Sequence, residues 1–324
     1  MSLPRFDYLR AGSVEEAITI LQGNPSARLL AGGTDLLANL KNGLGDPSHL
    51  VRIEPGSGLE GIRWDQKDGL WVGAFTSLAE LTTSRLVYRR APGLALAANR
   101  VAAHQHRAMG TLGGNILQDS RCLWYNQSAW WRSGQETCFK AGGRVCLAVQ
   151  KGKVCYACYH GDLAPVLIVL GAEAHIQGPE GFRIEKVEKL FSGEGVRPNT
   201  LGRSEILTRF RIPPAGLERT TVYLKEADRS AIDFPTLGLA VSALPQAKTW
   251  RICFTAVDRG PVRSVRGEEF FSAKGGVAGI NEDDLPKLEP KPVNNSRTGP
   301  AEKRRLMRRL LIRAADLASR EGGL

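Results

Sequence analysis

Residues 109–117 read MGTLGGNIL, a stretch that sets a Thr-Leu-Gly-Gly-Asn turn, Thr111 to Asn115, just ahead of an apolar step. A second turn of the same kind, Gly32-Gly33-Thr34-Asp35, lies inside LLAGGTDLL at 29–37. In each, glycines let the backbone bend tightly and approach a ligand, while amides at the turn and at the following helix start can aim donors at an anion. One such turn is commonplace. Two in one chain suit a pyrophosphate that both can share, although neither has the spacing of the Walker loop or of the Rossmann fingerprint.

Between the Gly-Gly-Asn turn and the apolar element that resumes at Gly161-Asp162-Leu163 stand five of the six cysteines. Cys122, Cys138, Cys146, Cys155 and Cys158 are separated by 15, 7, 8 and 2 residues, so four converge only if the loop folds back on itself. Six cysteines in 324 residues are too dilute for a disulfide scaffold, and clustered thiols in a reducing compartment are more often ligands or redox groups. Spacing leaves Cys155 and Cys158 both open as the fourth member. A zinc site completed by His160 is the plain alternative, weakened by the presence of a single CxxC pair. Cys253, in an apolar strand pattern, reads as a small buried residue.

Outward from this stretch the chain looks globular, with 42% hydrophobic and 24% charged residues. A formal charge of +11 favours acidic partners, of which nucleic acid is one and an acidic electron carrier another. The start lacks a basic flank followed by an apolar run, and the apolar stretch Leu163 to Ala172 is too short to span a bilayer, so a cytoplasmic protein without a membrane segment is expected.

Ser13 and Glu16 form a capping-box pattern ahead of a helix with Ala17, Ile18 and Leu21 on one face. Residues 27–31 suggest a short buried strand, and Pro55-Gly56-Ser57-Gly58 a boundary. Residues 94–108 read as one alanine-rich helix with His104 and His106 about 200° apart around its axis. Alternation over 205–213 indicates a half-buried strand. Residues 281–300 look like an extended linker, and 301–320 like a helix with Met307, Leu310, Leu311, Ala314 and Ala318 on its buried stripe.

In their joint order, LLAGGTDLL, MGTLGGNIL and GDLAPVLIVLGA at 161–172 resemble the FAD-binding subunit of the molybdenum hydroxylase (xanthine oxidase) family. FDYLRAGSVEEAITIL at 6–21, EILTRFRIP at 205–213 and YLKEADRSAIDFP at 223–235 support the match. The resemblance implies an α+β protein: a two-subdomain FAD-binding (PCMH-type) fold over 1–55 and 56–218, then a C-terminal α+β domain over 219–324. It implies that the backbone of Leu29, Leu30, Ala31, Gly32, Gly33, Thr34, Asp35 and Leu36 holds the FAD pyrophosphate, completed by Thr111, Gly113, Gly114 and Asn115. Val101, Asp162, Leu207 and Lys225 match further FAD-contacting positions.

Family members cross from the Gly-Gly-Asn turn to the Gly-Asp element by a short connection, whereas here Asn115 and Asp162 are 47 positions apart. The excess, 121–160, holds all five clustered cysteines. Such an addition resembles the cluster-bearing loop of the branch of the family that dehydroxylates an aromatic acyl-CoA reductively. That implies a [4Fe–4S] cluster on Cys122, Cys138, Cys146 and Cys155, shielded by Trp124, Tyr125, Trp130 and Trp131. It further implies a hetero-oligomer with a molybdopterin-binding large subunit and a [2Fe–2S] small subunit, fed by a ferredoxin-like donor and without nucleic acid. The chain shows no nucleophile paired with a base, so no catalytic residue is assigned and the substrate site is expected on a partner.

Overall fold

A computed structural model of the chain describes residues 2–229, 231–244 and 247–321, which leaves Ser230 of the 223–235 motif outside the described residues. Strands β1 (Asp7–Ala11), β2 (Arg28–Leu29) and β3 (His49–Ile53) form a parallel sheet in the order β1-β3-β2. Helix Val14–Gly23 starts where the sequence places it: the Ser13 hydroxyl accepts the Glu16 N–H at 3.2 Å, while the Glu16 carboxylate accepts that of Gly12 at 2.7 Å. Its Ala17, Ile18 and Leu21 pack with Ala11, Val51 and Ile53 in one apolar cluster.

Strands β4 (Ile62–Asp65), β5 (Gly69–Gly73), β6 (Glu173–Gly178), β7 (Gly181–Lys186) and β8 (Ile206–Ile212) pair antiparallel in the order β4-β5-β8-β6-β7. The remaining sheet, β9 (Thr220–Glu226), β10 (Leu237–Leu244), β11 (Thr249–Thr255) and β12 (Val262–Arg263), runs β12-β11-β10-β9. Helix Pro300–Glu321 covers it, and Met307, Leu310, Leu311, Ala314 and Ala318 are buried there, as the stripe requires. Helix Leu163–Val169 is buried at every residue because it lies within the central cluster, which joins Leu70 and Phe210 of the five-stranded sheet to Ala240 and Cys253 of the four-stranded one.

Two expectations need correction. Residues 94–108 are not one helix: Pro92–Asn99 and His104–Met109 are separate, and Ala102 between them has φ +40. Arg107 Nη1 donates to the carbonyls of Val101 and Ala102 at 2.8 and 3.1 Å, so the break leaves both carbonyls bonded. Residues 281–300 do not hang free as a linker. Leu285 is buried in the C-terminal cluster, and Asn295 accepts the Leu123 N–H at 2.9 Å while its side-chain amide donates to the Tyr156 carbonyl at 2.6 Å.

Two histidines sit in this interior without charge. Burial holds His160 down to about 3, with Lys303 adding to the effect, and burial beside Arg209 lowers His175. Unfolded histidine titrates near 6.5, so below that pH the unfolded chain binds protons that the folded chain refuses, and stability falls as pH drops through the window from about 6.5 to about 3. His160 alone is expected to remove about 2 kcal/mol between pH 7 and pH 5. Urea midpoints at the two pH values measure this; an Asn at position 160, which keeps a donor toward the Cys158 carbonyl, should flatten the slope.

Candidate functional site

The two glycine turns meet. Leu30 leaves β2 with its N–H on the Val51 carbonyl at 2.7 Å, the chain turns through Gly33 at φ +71, and helix Leu36–Lys41 follows. At Gly32 a β-carbon would lie 1.9 Å from the Met109 carbonyl oxygen, so only glycine lets this loop touch the segment that enters the second turn. There the Thr111 hydroxyl accepts the Gly114 N–H at 3.0 Å, and Gly113 donates to the Ala74 carbonyl at 2.7 Å. A β-carbon at Gly113 would stand 2.9 Å from that same oxygen.

Between the turns lies a cavity of about 1230 Å³, above the roughly 300–1,000 Å³ of drug-sized sites and suited to a dinucleotide. Leu29, Ala31, Gly32, Gly33, Thr34, Asp35, Leu36, Val101, Thr111, Gly113, Gly114, Asn115, Asp162 and Leu207 line it. Two expected contacts are not on its wall. Leu30 turns back to β3, and Lys225 sits behind the wall, where its Nζ reaches Asp162 Oδ1 at 3.1 Å and the carbonyls of Arg100 and Asp233 at 2.9 and 2.8 Å. Burial pushes the Asp162 carboxyl up, against the pull of Lys225 and of the Tyr223 hydroxyl at 2.8 Å.

The turns differ in what they offer an anion. Gly113, Gly114 and Asn115 spend their N–H groups on Ala74, Thr111 Oγ1 and the Thr111 carbonyl, so the second turn does not present the free amides expected of it. Among the described residues, the N–H groups of Gly32, Gly33, Thr34 and Asp35 donate to no protein acceptor. This is the donor set a pyrophosphate needs, and it fits FAD.

Sequence reasoning missed several wall residues. His106 arrives through the helix break, and Phe234 through the loop before β10. Asp119, Arg121, Tyr125 and Lys140 come from the cysteine-rich insert and its root. Cysteine spacing drew attention to the thiols, and nothing in it marks the cations between them.

The insert has a closed neck. Arg121 and Cys158 exchange both backbone hydrogen bonds at 2.7 Å, Asn115 Oδ1 accepts the Leu163 N–H at 3.2 Å, and the Tyr159 hydroxyl lies 3.1 and 3.0 Å from the carbonyls of Asn115 and Ile116. Cys158 belongs to this neck: it is fully buried, and its thiol, raised by burial to about 12, donates to the Asp258 carbonyl at 3.1 Å. The other four lie beyond the neck. Burial raises the Cys122 thiol, and neighbouring Cys146 and Cys138 raise it further. Burial also raises Cys155, to about 11; Lys140 opposes this, and Glu194 and Cys122 add to it.

Cys122 is thus within electrostatic reach of Cys138, Cys146, Cys155 and Cys158. The Tyr125 and Asn126 N–H groups donate to the Cys122 carbonyl at 3.0 and 2.9 Å, and the Ala157 N–H lies 3.4 Å from the Cys155 sulfur. Among the described residues no three His, Cys, Asp or Glu side chains gather closely enough for a single ion. His160 turns its Nδ1 to the Cys158 carbonyl at 2.9 Å. Trp130 is 84% exposed and shields nothing, whereas Trp124 and Trp131 pack at 6.2 Å between ring centres.

A two-loop dinucleotide cavity flanked by antiparallel and parallel sheets defines a flavin-binding oxidoreductase subunit. The family described as "FAD binding domain in molybdopterin dehydrogenase" matches residues 4–215, and the chain belongs to it. The chain is 27% identical over 266 residues to the xanthine dehydrogenase FAD-binding subunit of Escherichia coli O157:H7, covering 81% of this chain and 77% of that one. It is 30% identical over 241 residues to the carbon monoxide dehydrogenase medium chain of Hydrogenophaga pseudoflava, covering 74% and 69%. In fold it is similar to a chain of quinoline 2-oxidoreductase from Pseudomonas putida 86, with TM-score 0.75, 22% identity and 99% of both chains covered. Among the described residues no helix is long and apolar enough to cross a membrane.

The Gly32 contact yields a direct test. Gly32→Ala should push the two turns apart and weaken FAD binding about tenfold or more, each factor of ten being ~1.4 kcal/mol. Gly134→Ala, whose β-carbon would find its nearest neighbour at 3.7 Å, should retain flavin at the wild-type ratio, read from absorbance per protein.

Proposed function

We propose that FAD sits in the 1230 Å³ cavity, its pyrophosphate on the amides of Gly32 to Asp35, and that the chain is the electron-transfer subunit of a hetero-oligomeric molybdenum enzyme. The free amides of the first turn, opposite the capped second turn, support this placement. Lys225 positions Asp162 and the Asp233–Phe234 segment from behind. We take residues 1–55, 56–218 and 219–324 as the working units, each with its own sheet, and cytoplasm as the location. The partners are a molybdopterin-binding large subunit and a small subunit with [2Fe–2S] centres, in keeping with relatives named as FAD-binding subunits and medium chains.

The insert holds a [4Fe–4S] cluster through Cys122, Cys138, Cys146 and Cys155. One observation supports this choice: these four cysteines stand inside the loop that Arg121 and Cys158 close, with the Ala157 N–H 3.4 Å from the Cys155 sulfur, while the Cys158 thiol is tied into the neck on the Asp258 carbonyl at 3.1 Å. When bound, the cluster stores single electrons. With such an insert the enzyme is most like 4-hydroxybenzoyl-CoA reductase, whose reductive dehydroxylation consumes electrons and calls for a low-potential, ferredoxin-like donor. An acidic carrier of that kind suits a chain of charge +11.

A second reading has its own support. The named relatives are dehydrogenases and oxidoreductases of other substrates, which favours an oxidative hydroxylase whose insert has no part in turnover. Cys122→Ser in the anaerobically purified complex should lose iron and acid-labile sulfide, and Cys158→Ser should retain both. The reductive assignment requires that the Cys122→Ser complex also accept electrons slowly from a reduced ferredoxin; wild-type rates would leave the oxidative reading standing.

A further inference from the structure

We propose that Arg121 is a positioning residue that couples the cysteine insert to the flavin loop, so that FAD affinity and assembly of the insert depend on one another. The inference rests on the placement of FAD in the cavity and, for its second half, of a cluster in the insert.

Asp35 stands at the start of helix Leu36–Lys41, where an aspartate would ordinarily cap, yet its side chain makes no cap hydrogen bond. Both carboxylate oxygens go to the root of the insert instead. Oδ1 accepts from Arg121 Nη2 at 2.5 Å and Oδ2 from the Asp119 N–H at 3.0 Å. The Arg121 guanidinium also lies 4.1 Å from the centre of the Phe234 ring, on the far wall of the cavity, and its backbone is half of the neck clasp with Cys158. Asp119 Oδ1 in turn accepts from Lys140 Nζ at 2.8 Å, and Lys140, its side chain 4% exposed, reaches Ser120 Oγ and the Gly195 carbonyl at 2.9 and 2.7 Å.

The flavin loop, the neck, the 233–234 segment and the interior of the insert therefore meet at one carboxylate and one guanidinium. Arg121 is followed at once by Cys122, so whatever fixes that cysteine fixes the cation that holds Asp35. Asp35 is also one of the four residues whose amides face the cavity unpaired. Ordering at either end spares the other part of its ordering entropy, and linkage makes the effect reciprocal.

The test uses the full chain in its complex, stripped of flavin and titrated with FAD by fluorescence. Arg121→Leu and Asp35→Asn should each weaken FAD about tenfold, within the 5–150-fold range of such couplings, and the double variant should be no worse than either. Arg121→Lys, which keeps the charge but loses the flat contact with Phe234, should recover part of the affinity. Cys122→Ser should weaken FAD in the wild-type background and add nothing in Arg121→Leu, and withholding FAD should lower iron content in the wild type but not further in Arg121→Leu.

Wild-type affinity in Arg121→Leu, or additive losses in the double variant, would overturn the proposal. A wild-type complex that binds FAD but never holds iron would overturn the cluster half while leaving the Asp35–Arg121 pair to stand or fall on the titration. If the wild-type chain had no affinity for FAD, both the coupling and the cavity assignment would go.

Discussion

The carbonyl oxygen of Met109 occupies the place a β-carbon on residue 32 would need, 1.9 Å away, and the cavity depends on that contact. It sets the distance between a loop that leaves a parallel sheet and a turn that packs, through Gly113, on the Ala74 carbonyl after β5. Because backbone meets backbone on both sides, no side-chain adjustment can absorb a change there. The two turns then divide the work. The second spends its amides holding itself to the protein, and the first keeps its own available.

The insert is attached to this arrangement at low entropic cost. Closing a longer loop costs only logarithmically more, but an unstructured loop of this length inside a compact domain would be unusual. Here its ends are pinned before it departs, by the clasp between Arg121 and Cys158 and by Asn115 on Leu163. Its body leans on residues 294–295 through Trp124 and Leu123. Buried polar groups in the neck are largely paired, with Lys140 satisfied by three oxygens, although the Arg121 Nε and Asn295 Oδ1 atoms have no partner among the described residues. The lysine also counters the negative charge that the thiols would bring.

Much of the scaffold is legible without coordinates because its signals are local. Ser13 and Glu16 mark a helix start, alternation over 205–213 marks β8, and the spacing of Met307, Leu310, Leu311, Ala314 and Ala318 marks a buried stripe; each rests on neighbours a few residues apart. The break at Ala102 is not legible in that way. It depends on Arg107 folding back onto two carbonyls, which an alanine-rich composition does not announce. The same is true of 281–300, whose polar, proline-rich character resembles a linker until Asn295 finds the insert.

At the site the division is sharper. The sequence by itself determined that two glycine turns and a cysteine-rich addition belong to one protein of the FAD-binding family, because glycine and cysteine are chosen for chemistry that few other residues can supply. Only the tertiary structure decided that Cys158 closes the neck, that among the described residues the amides of Gly32 to Asp35 remain free, and that Asp35 serves Arg121, 86 positions away, and not its own helix. Those outcomes are contacts between residues far apart in the chain, and their partners are set by how the sheets and helices pack, a choice that no local pattern encodes.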